Sequence, residues 1–357
     1  MRILFLTKYS YLGASSRYCY YNYLSIFKEN EVDCTVSAFF DDEYLDNLSY
    51  SKSIDITKVF GYYWHRIKIL LGLSKFDYDL VVIEYELLPY FPSFFERAIK
   101  YIGIKFIVTY DDAIFHNYDL NPNLIVRLLL GCKIKNVIKN AHGVITGSPY
   151  LTNYAQRFNK TVREIPTSID EKKYDKITFN KAQSKFSIGW IGSNSTSKYL
   201  LEIIPALRKF SQNYPCEIRL IGFNRELRKY LEDLPVKYVN WEEKTELEEI
   251  SKISVGIMPL LNDQWSRGKC GFKLIQYMAC AKPTISTPLE ANIKINRNGN
   301  NLHADNNEEW YNALEQVFLN QERFQKVGSE NKLIVSEWYS IQTNYQKYLD
   351  LFRLSIL

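Results

Sequence analysis

The strongest constraint on the fold is an alternation of short apolar strands with helical segments, which runs through the chain twice. In the first half, RILFLT, VDCTVSAFF, DLVVIEY, KFIVTY and GVITGS are separated by stretches with helical periodicity. The second half repeats the scheme with SIGWIG, EIRLIG, VKYV, ISVGIMPL and PTIST. Continuous apolar strands with helices between them are typical of parallel sheets covered on both faces. The sequence therefore predicts an α/β protein with two Rossmann-like lobes.

The chain length supports two domains, because 357 residues exceed the ~250–300 at which single cores stop growing. The segment 167–185, TSIDEKKYDKITFNKAQSK, is polar without periodicity and is the predicted linker. We expect an N-terminal domain over 1–170 and a C-terminal domain over 171–340. Residues from 307 onward form a helical tail in this interpretation, and 341–357 are predicted to be a helix that returns to the N-terminal domain.

Charge and cysteine content exclude several classes of protein. A net charge of +5 is too small for a nucleic-acid-binding protein, whose domains typically have a pI above ~9. The six cysteines include no CxxC pair, so neither a zinc site nor a disulfide framework is expected. The apolar run at the N-terminus is too short for a signal peptide. No run of ~18 apolar residues is present to cross a bilayer, and we expect a cytoplasmic protein.

In each half of the chain, a glycine-containing loop follows the first strand. In KYSYLGASSRY, Gly13 and Ala14 allow a ligand to approach the backbone, although the dinucleotide pattern GxGxxG is absent. The alternative is a tight turn capped by Ser15 or Ser16. In GWIGSNSTSKYL, Gly192 begins a run of small residues with backbone donors, and plain helix capping is the alternative.

A third loop, RGKCGFKL, combines two glycines with two lysines. Gly268 and Gly271 let the backbone turn, while Lys269 and Lys273 are spaced to project on one side. Together with the positive end of the following helix they suit a diphosphate. A solvated lysine pair is the alternative. The stretch is not a P-loop, since position 263 is Asp and no Ser or Thr follows the lysine.

Paired carboxylates end the strand KFIVTY in the first half. Asp111 and Asp112 are followed by His116, a combination that serves to bind metal, to exchange protons or to hold sugar hydroxyls. An Asp helix cap with a loop histidine remains the alternative. A Ser-His-Asp hydrolase is not indicated, because no GxSxG sequence is present.

The motifs GWIGSNSTSKYL, IMPLLNDQW, GKCGFKLIQYMACAKP and NGNNLHADNNEEWYNAL, in this order, resemble the C-terminal half of retaining, family-4-like glycosyltransferases (glycosyl transferases group 1) of the GT-B fold. The resemblance implies two lobes facing a cleft, with an acceptor-side N-terminal lobe and a nucleotide-sugar-binding C-terminal lobe. It implies no metal or other cofactor. Asp112 and His116 are the candidate catalytic residues, and Asp111 and Glu86 the candidate acceptor-binding residues. The candidate donor-binding residues are Gly13, Ala14, Gly192, Ser193, Lys198, Lys269, Cys270, Gly271, Phe272, Lys273 and Gln276.

The chain departs from the family pattern at three positions, namely 193, 268 and 276. The usual pair of glutamates, seven residues apart, is replaced by Gly268 and Gln276. We expect Gln276 to hydrogen-bond the ribose hydroxyls, while the sugar contact of the first glutamate must come from elsewhere. The basic residue usual after the first glycine of the second lobe is Ser193, for which Lys198 is the candidate substitute.

The function predicted from the resemblance is transfer of a sugar from a nucleotide-sugar to a glycan or lipid-linked acceptor, with retention, in bacterial cell-surface polysaccharide synthesis. Two alternatives stay open: a nucleotide-sugar epimerase on the same fold, and a sugar-nucleotide-binding module without catalysis. Initial-rate assays with and without acceptor distinguish a glycosyltransferase from an epimerase. Turnover of the donor above background excludes a binding module without catalysis.

Two segments predict contact with an anionic membrane surface, on the inner face of the cytoplasmic membrane. No Asp or Glu lies between Asp55 and Asp77, or from 120 to 162, and basic residues alternate there with aromatic and aliphatic ones. The alternative is that the apolar residues face the core and the lysines are solvated. The basic residues singled out are Lys58, Arg66, Lys68, Lys75, Arg127, Lys133, Lys135 and Lys139.

Overall fold

A computed structural model describes residues 1–49, 55–175 and 185–356, apart from a few side chains near residue 49. Residues 176–184 of the predicted linker therefore lie outside the described residues. The chain divides into two compact units. Unit 1 comprises 1–168, 267–270 and 344–357, and unit 2 comprises 169–266 and 271–343.

The predicted parallel sheets are present in both units, each with six strands. In unit 1 the order is β2-β1-β3-β4-β5-β6, and in unit 2 it is β12-β11-β10-β7-β8-β9. All pairs are parallel, as in Ile3 with Leu80 and Ile188 with Ile218. The strands are β1 Arg2–Tyr9, β2 Asp33–Phe40, β3 Leu80–Glu84, β4 Phe106–Tyr110, β5 Gly143–Thr146, β6 Val162–Glu164, β7 Phe186–Ile191, β8 Cys216–Ile221, β9 Val236–Val239, β10 Val255–Met258, β11 Thr284–Ser286 and β12 Leu302–His303.

Helices connect the strands, and several begin at polar caps that the sequence supplies. Asp55 accepts from the backbone N–H of Thr57, and Asn123 from that of Ile125. The helices that begin in unit 1 are α1 Ala14–Cys19, α2 Leu24–Glu29, α3 Asp42–Ser49, α4 Ile56–Gly72, α5 Phe94–Tyr101, α6 His116–Asp119, α7 Leu124–Leu130, α8 Lys133–Asn140 and α9 Pro149–Gln156. Those that begin in unit 2 are α10 Glu171–Tyr174, α11 Ile204–Asn213, α12 Glu243–Ser251, α13 Gln264–Arg267, α14 Phe272–Ala279, α15 Glu290–Ile295, α16 Asn307–Leu319, α17 Gln321–Trp338 and α18 Ile341–Ile356.

Periodicity in the sequence predicts helices over 15–27, 124–139, 197–210 and 225–231, and the structure differs from each of them in part. The segment from Ser15 to Phe27 is divided by the 3₁₀ turn Tyr21–Tyr23, and the segment 124–139 is divided between α7 and α8 at Gly131. Ser197–Ile203 and Arg225–Tyr230 are 3₁₀ helices. The apolar spacing is nearly the same for these shapes, so periodicity alone does not distinguish them.

The last helix, α18, packs its aromatic residues into the core of unit 1. The Phe352 ring lies 6.2 Å from Phe5 and 5.5 Å from Phe27, and the Tyr348 ring lies 4.8 Å from Tyr23. These residues are buried. Helix α18 is thus part of the hydrophobic core that supports β1.

None of the helices in the described ranges is long and apolar enough to cross a membrane.

Candidate active site

The strand orders place a topological switch point in each unit, where ligands bind in open parallel sheets. In unit 1 the order reverses between β1 and β3, and in unit 2 between β7 and β10. The loops predicted as binding loops follow these strands or their neighbours. The sheet topology therefore brings the predicted site residues of each unit to one sheet edge.

In unit 1, the loop after β1 meets the ends of β3 and β4 through Asp111. The Ser15 hydroxyl and the Tyr85 hydroxyl both donate to the Asp111 carboxylate, and the two hydroxyls are 2.9 Å apart. Gly13 precedes helix α1, where a Cβ would collide with the Tyr9 side chain. Burial, reinforced by the charge of Asp112, raises the pKa of Asp111. The cluster offers hydroxyl and carboxyl groups of the kind that hold sugar hydroxyls.

Beside this cluster lies Glu84, which sequence reasoning missed. Its Oε2 accepts from the Lys8 backbone N–H at 2.7 Å and from the Ser16 hydroxyl at 2.6 Å. Its Oε1 has no hydrogen-bond partner among the described residues. Burial, followed by the charge of Asp111, raises the Glu84 pKa to about 7. Glu84 thus holds the loop after β1 in place, and the only sequence signal for it was a carboxylate ending an apolar strand.

The backbone at Tyr85 is in the left-handed region, with φ of 65°. A bulky side chain is rarely found there, and such strain persists where the surrounding contacts impose it. Tyr85 is buried and its hydroxyl reaches Asp111. Nothing in the sequence pattern indicated this tyrosine.

Lys269 contacts the other aspartate of the pair. Its Nζ lies 2.8 Å and 3.0 Å from the two carboxylate oxygens of Asp112. The neighbouring Cys270 thiol donates to the Asp111 carbonyl at 2.9 Å. Burial, followed by the charge of Asp111, raises the Cys270 pKa well above its usual value. The segment 267–270 thus belongs to the same site as the two aspartates.

Two glycines permit the close packing of this segment. A Cβ on Gly268 would lie 2.5 Å from the Ala113 Cβ and 2.8 Å from the Ala113 nitrogen. A Cβ on Gly147 would collide with the Cys270 sulfur. The Ser148 hydroxyl donates to the Gly268 carbonyl at 3.3 Å. Position 268 therefore has no room for the glutamate of the family pattern.

His116 and Glu86 lie near this edge, but their polar atoms are already engaged. The His116 ring nitrogens lie 2.8 Å from Asp119 Oδ1 and 2.9 Å from the Tyr150 hydroxyl. Glu86 is buried, pairs with the Lys133 ammonium and accepts from the Tyr118 hydroxyl. The catalytic role of His116 and the acceptor role of Glu86 stay predictions.

The lysine–glycine loop leads into helix α14 of unit 2. Gly271 is the N-cap of α14, in the left-handed conformation with φ of 69°, so Lys269 precedes the helix and belongs to unit 1. The projection of Lys269 and Lys273 on one side stays a prediction. Phe272, the first residue of α14, packs against the apolar core.

Lys273 is the basic residue that remains at the amino end of α14. Its Nζ lies 3.3 Å from the Thr196 hydroxyl, in the loop after β7, and 4.6 Å from the Trp190 ring centre. In that loop, a Cβ on Gly192 would collide with Trp190, and the Ser193 N–H donates to Thr196 at 3.0 Å. The structure thus brings together two loops that the sequence singled out separately. Lys198 is exposed, with its ammonium over the Tyr199 ring.

Gln276 lies one turn further along α14 and contacts a glutamate that sequence reasoning missed. Its amide nitrogen donates to Glu246 Oε1 at 2.8 Å, and the Trp241 indole donates to Glu246 Oε2 at 2.5 Å. Gln276 and Glu246 are buried, at 4% and 5% exposure. The signal for Glu246 was weak, since it is one of several glutamates on α12.

Within the described part of the chain, no three His, Cys, Asp or Glu side chains are grouped closely enough to hold a metal ion.

Comparison with known proteins bears on the fold and on unit 2. Residues 185–320 match the family model described as Glycosyl transferases group 1. No curated protein matches the chain in sequence. The fold resembles Anabaena HepE in complex with UDP-glucose, at 15% identity, TM-score 0.73 and full coverage of both chains. It also resembles a sucrose-phosphate synthase from Thermosynechococcus elongatus, at 14% identity and TM-score 0.70, covering 99% of this chain and 98% of that one.

A glycosyltransferase from Rickettsia africae is similar to the same degree, at 13% identity and TM-score 0.70, with 99% of this chain and 98% of that one covered. These likenesses show the fold, with its two parallel sheets, and the family match covers most of unit 2. The chain is thus a glycosyltransferase of the GT-B fold, with a glycosyl transferases group 1 domain at residues 185–320.

Proposed function

We propose that the protein transfers a glycosyl group from a nucleoside-diphosphate sugar to a glycan or lipid-linked acceptor, with retention, in bacterial cell-surface polysaccharide synthesis. The observation that carries the proposal is the position of Lys273. Its ammonium lies at the amino end of α14 and beside Thr196 in the loop after β7. A cation, a helix amino end and backbone N–H groups of an adjacent loop together suit a diphosphate.

The two units have separate roles in this proposal. Unit 2 binds the nucleotide and diphosphate through Gly192, Ser193, Gly271, Lys273 and Gln276. The Ser15, Tyr85 and Asp111 cluster of unit 1 binds acceptor hydroxyl groups, because it offers both donors and acceptors. The similar Anabaena structure contains UDP-glucose, which supports a sugar nucleotide as the donor class.

The chemistry proposed needs neither a metal ion nor a strong general base. In retaining transfer, the departing diphosphate accepts the proton of the acceptor hydroxyl. Lys273 stabilises the negative charge that develops on that diphosphate. Asp112 is held by the Lys269 ammonium at 2.8 Å, which keeps an ion pair next to the acceptor-side cluster.

We also propose that unit 1 contacts an anionic membrane surface, although two of the predicted basic residues are wrong for this role. Arg66 is buried and donates to the carbonyls of Thr7 and Ser37, and Lys133 is buried against Glu86. Lys58 is exposed but pairs with Glu43. The other predicted basic residues are exposed, namely Lys68, Lys75, Arg127, Lys135 and Lys139.

Exposed apolar side chains on two helices support the membrane proposal. They are Ile56, Phe60, Trp64 and Leu71 on α4, and Leu124, Ile125, Leu128 and Leu129 on α7. Ring contacts run from Tyr63 on α4 to Phe91 at 5.5 Å, and from Tyr90 in the same loop to Tyr118 on α6, which precedes α7, at 5.5 Å. Basic and apolar groups together on one surface suit anionic lipid.

The experiment that tests the main proposal is a donor screen with product analysis. UDP-, GDP- and ADP-sugars are incubated with the protein, and nucleoside diphosphate release is measured with and without oligosaccharide and lipid-linked acceptors. We expect acceptor-stimulated release from one donor, a product with the anomeric configuration of the donor by NMR, and no loss of rate with EDTA. Donor turnover to a different sugar nucleotide without acceptor would show an epimerase instead.

A further inference from the structure

A buried amide on helix α14 lies against a carboxylate from another helix. Gln276 Nε2 lies 2.8 Å from Glu246 Oε1. Glu246 is on α12, thirty residues earlier in the chain, and both side chains are buried. A buried carboxylate that faces the predicted nucleotide-binding residue calls for an explanation beyond sequence pattern.

The hydrogen bonds of Glu246 fix which groups donate and which accept. The Trp241 indole N–H can only donate, and it lies 2.5 Å from Glu246 Oε2. An ionised carboxylate only accepts, so its other oxygen takes a hydrogen bond from the Gln276 amide nitrogen. One carboxylate thus satisfies two donors, which accounts for its burial.

This arrangement sets the orientation of the Gln276 amide. A glutamine side chain can present either its NH₂ group or its oxygen to a ligand. With its NH₂ group turned toward Glu246, the Gln276 amide has its oxygen on the other side of the amide carbon, where it can accept from a ligand. An oxygen acceptor is also what a glutamate at this position would offer.

We propose that Glu246 is a positioning residue that turns the Gln276 amide so that its oxygen accepts hydrogen bonds from the ribose hydroxyls of the donor nucleotide. The Trp241–Glu246–Gln276 chain thereby replaces a carboxylate on α14. The proposal rests on the proposed function, which assigns nucleotide binding to unit 2. It adds a residue from α12 and a defined polarity to that site.

The test measures ribose preference, defined as the ratio of the affinities for a ribonucleotide and its 2′,3′-dideoxy analogue. It compares this ratio in single variants and in a double variant that exchanges the two residues. UDP, ADP and GDP are first titrated into the wild-type protein by calorimetry, and the tightest binder is then compared with its 2′,3′-dideoxy analogue. We expect the wild type to prefer the ribonucleotide by at least tenfold. In E246Q, the oxygen of the introduced amide accepts from Trp241, and its NH₂ group faces Gln276. The Gln276 amide must then rotate so that its oxygen accepts from this NH₂ group. The preference should fall to within about threefold.

The exchange of the two residues provides the decisive comparison. Q276E alone places two carboxylates together, and it should weaken binding and lower the unfolding temperature. In the double variant E246Q/Q276E, the new amide on α12 accepts from Trp241 and donates to the new carboxylate on α14. Ribose preference and unfolding temperature should therefore return close to those of the wild type. E248Q is the matched control, because Glu248 is exposed on the same helix and pairs with Lys252.

The outcomes separate this proposal from the proposed function. If E246Q keeps the full ribose preference, or if the double variant is as impaired as the single ones, the positioning role is wrong. If a nucleotide binds the wild type without ribose preference, the inference fails while the proposed function stands. If none of the three nucleotides binds the wild type, both fail.

Discussion

At the scale of single residues, packing restricts what can occupy position 268. A Cβ at this position would meet the Ala113 Cβ and nitrogen at 2.5 Å and 2.8 Å. The adjacent Lys269 makes the ion pair with Asp112. The sequence predicted a flexible turn here, but only the three-dimensional packing shows that the turn is close to the two aspartates of unit 1.

The first prediction concerns this close approach. Gly268→Ala should destabilise unit 1, because overpacking costs ~1–3 kcal/mol, and the unfolding temperature should fall by ~2–4 °C for each kcal/mol. Differential scanning fluorimetry measures the change. Gly61→Ala is the control, since a Cβ there meets no atom within 4 Å and alanine favours the helix. Equal unfolding temperatures for G268A and the wild type would contradict the packing argument.

The second prediction is a pH dependence that originates at Glu84, whose pKa is raised to about 7. An unfolded glutamate has a pKa near ~4.3. Between these values the folded state holds a proton that the unfolded state has released, so Glu84 makes stability fall as pH rises through the window from ~4.5 to 7.

Glu84→Gln should remove this contribution while keeping an oxygen that accepts from Ser16 and Lys8. Relative to the wild type, the variant should gain up to about 3 kcal/mol in unfolding free energy between pH ~4.5 and 7. Urea denaturation at several pH values measures the difference. If the two stability curves run parallel over this range, the raised pKa is wrong.

At the scale of elements, strands were easier to predict than helices. Apolar runs such as DLVVIEY coincide with buried strands because a central parallel strand is covered on both faces. Helical periodicity did not reveal the break between α7 and α8 or the turn at Gly271, since these depend on local backbone angles. It also placed Arg66 and Lys133 on the surface, because long side chains on an apolar face can reach buried carbonyls or carboxylates.

The third prediction tests the membrane contact proposed for unit 1. Lys68→Glu with Lys75→Glu should reduce co-sedimentation with anionic liposomes at low salt, because each basic residue near such a surface contributes ~1 kcal/mol. Lys229→Glu with Lys237→Glu, two exposed residues of unit 2, is the control of equal charge. Neutral liposomes and high salt should abolish the difference. Absence of wild-type binding to anionic liposomes at low salt would rule the surface out.

At the scale of the whole molecule, the sequence predicted the two α/β lobes and the class of enzyme, and the structure and the family match confirm both. It also singled out the loops that carry Thr196 and Lys273, because small residues and lysines after strands have a recognisable pattern. It could not predict the partners of these residues. Other site residues act through contacts between distant segments that no local spacing indicates, namely Glu246, Trp241, Glu84 and Tyr85.

The most direct test of the account is nucleotide binding by Lys273→Ala, measured by calorimetry with the tightest binder among UDP, ADP and GDP. Loss of one charge-assisted contact removes ~1.5–3 kcal/mol, so the affinity should fall at least tenfold while the unfolding temperature stays close to that of the wild type. Lys229→Ala, at an exposed position of unit 2, should leave the affinity unchanged. Unchanged affinity in K273A would contradict the assignment of the diphosphate to the amino end of α14.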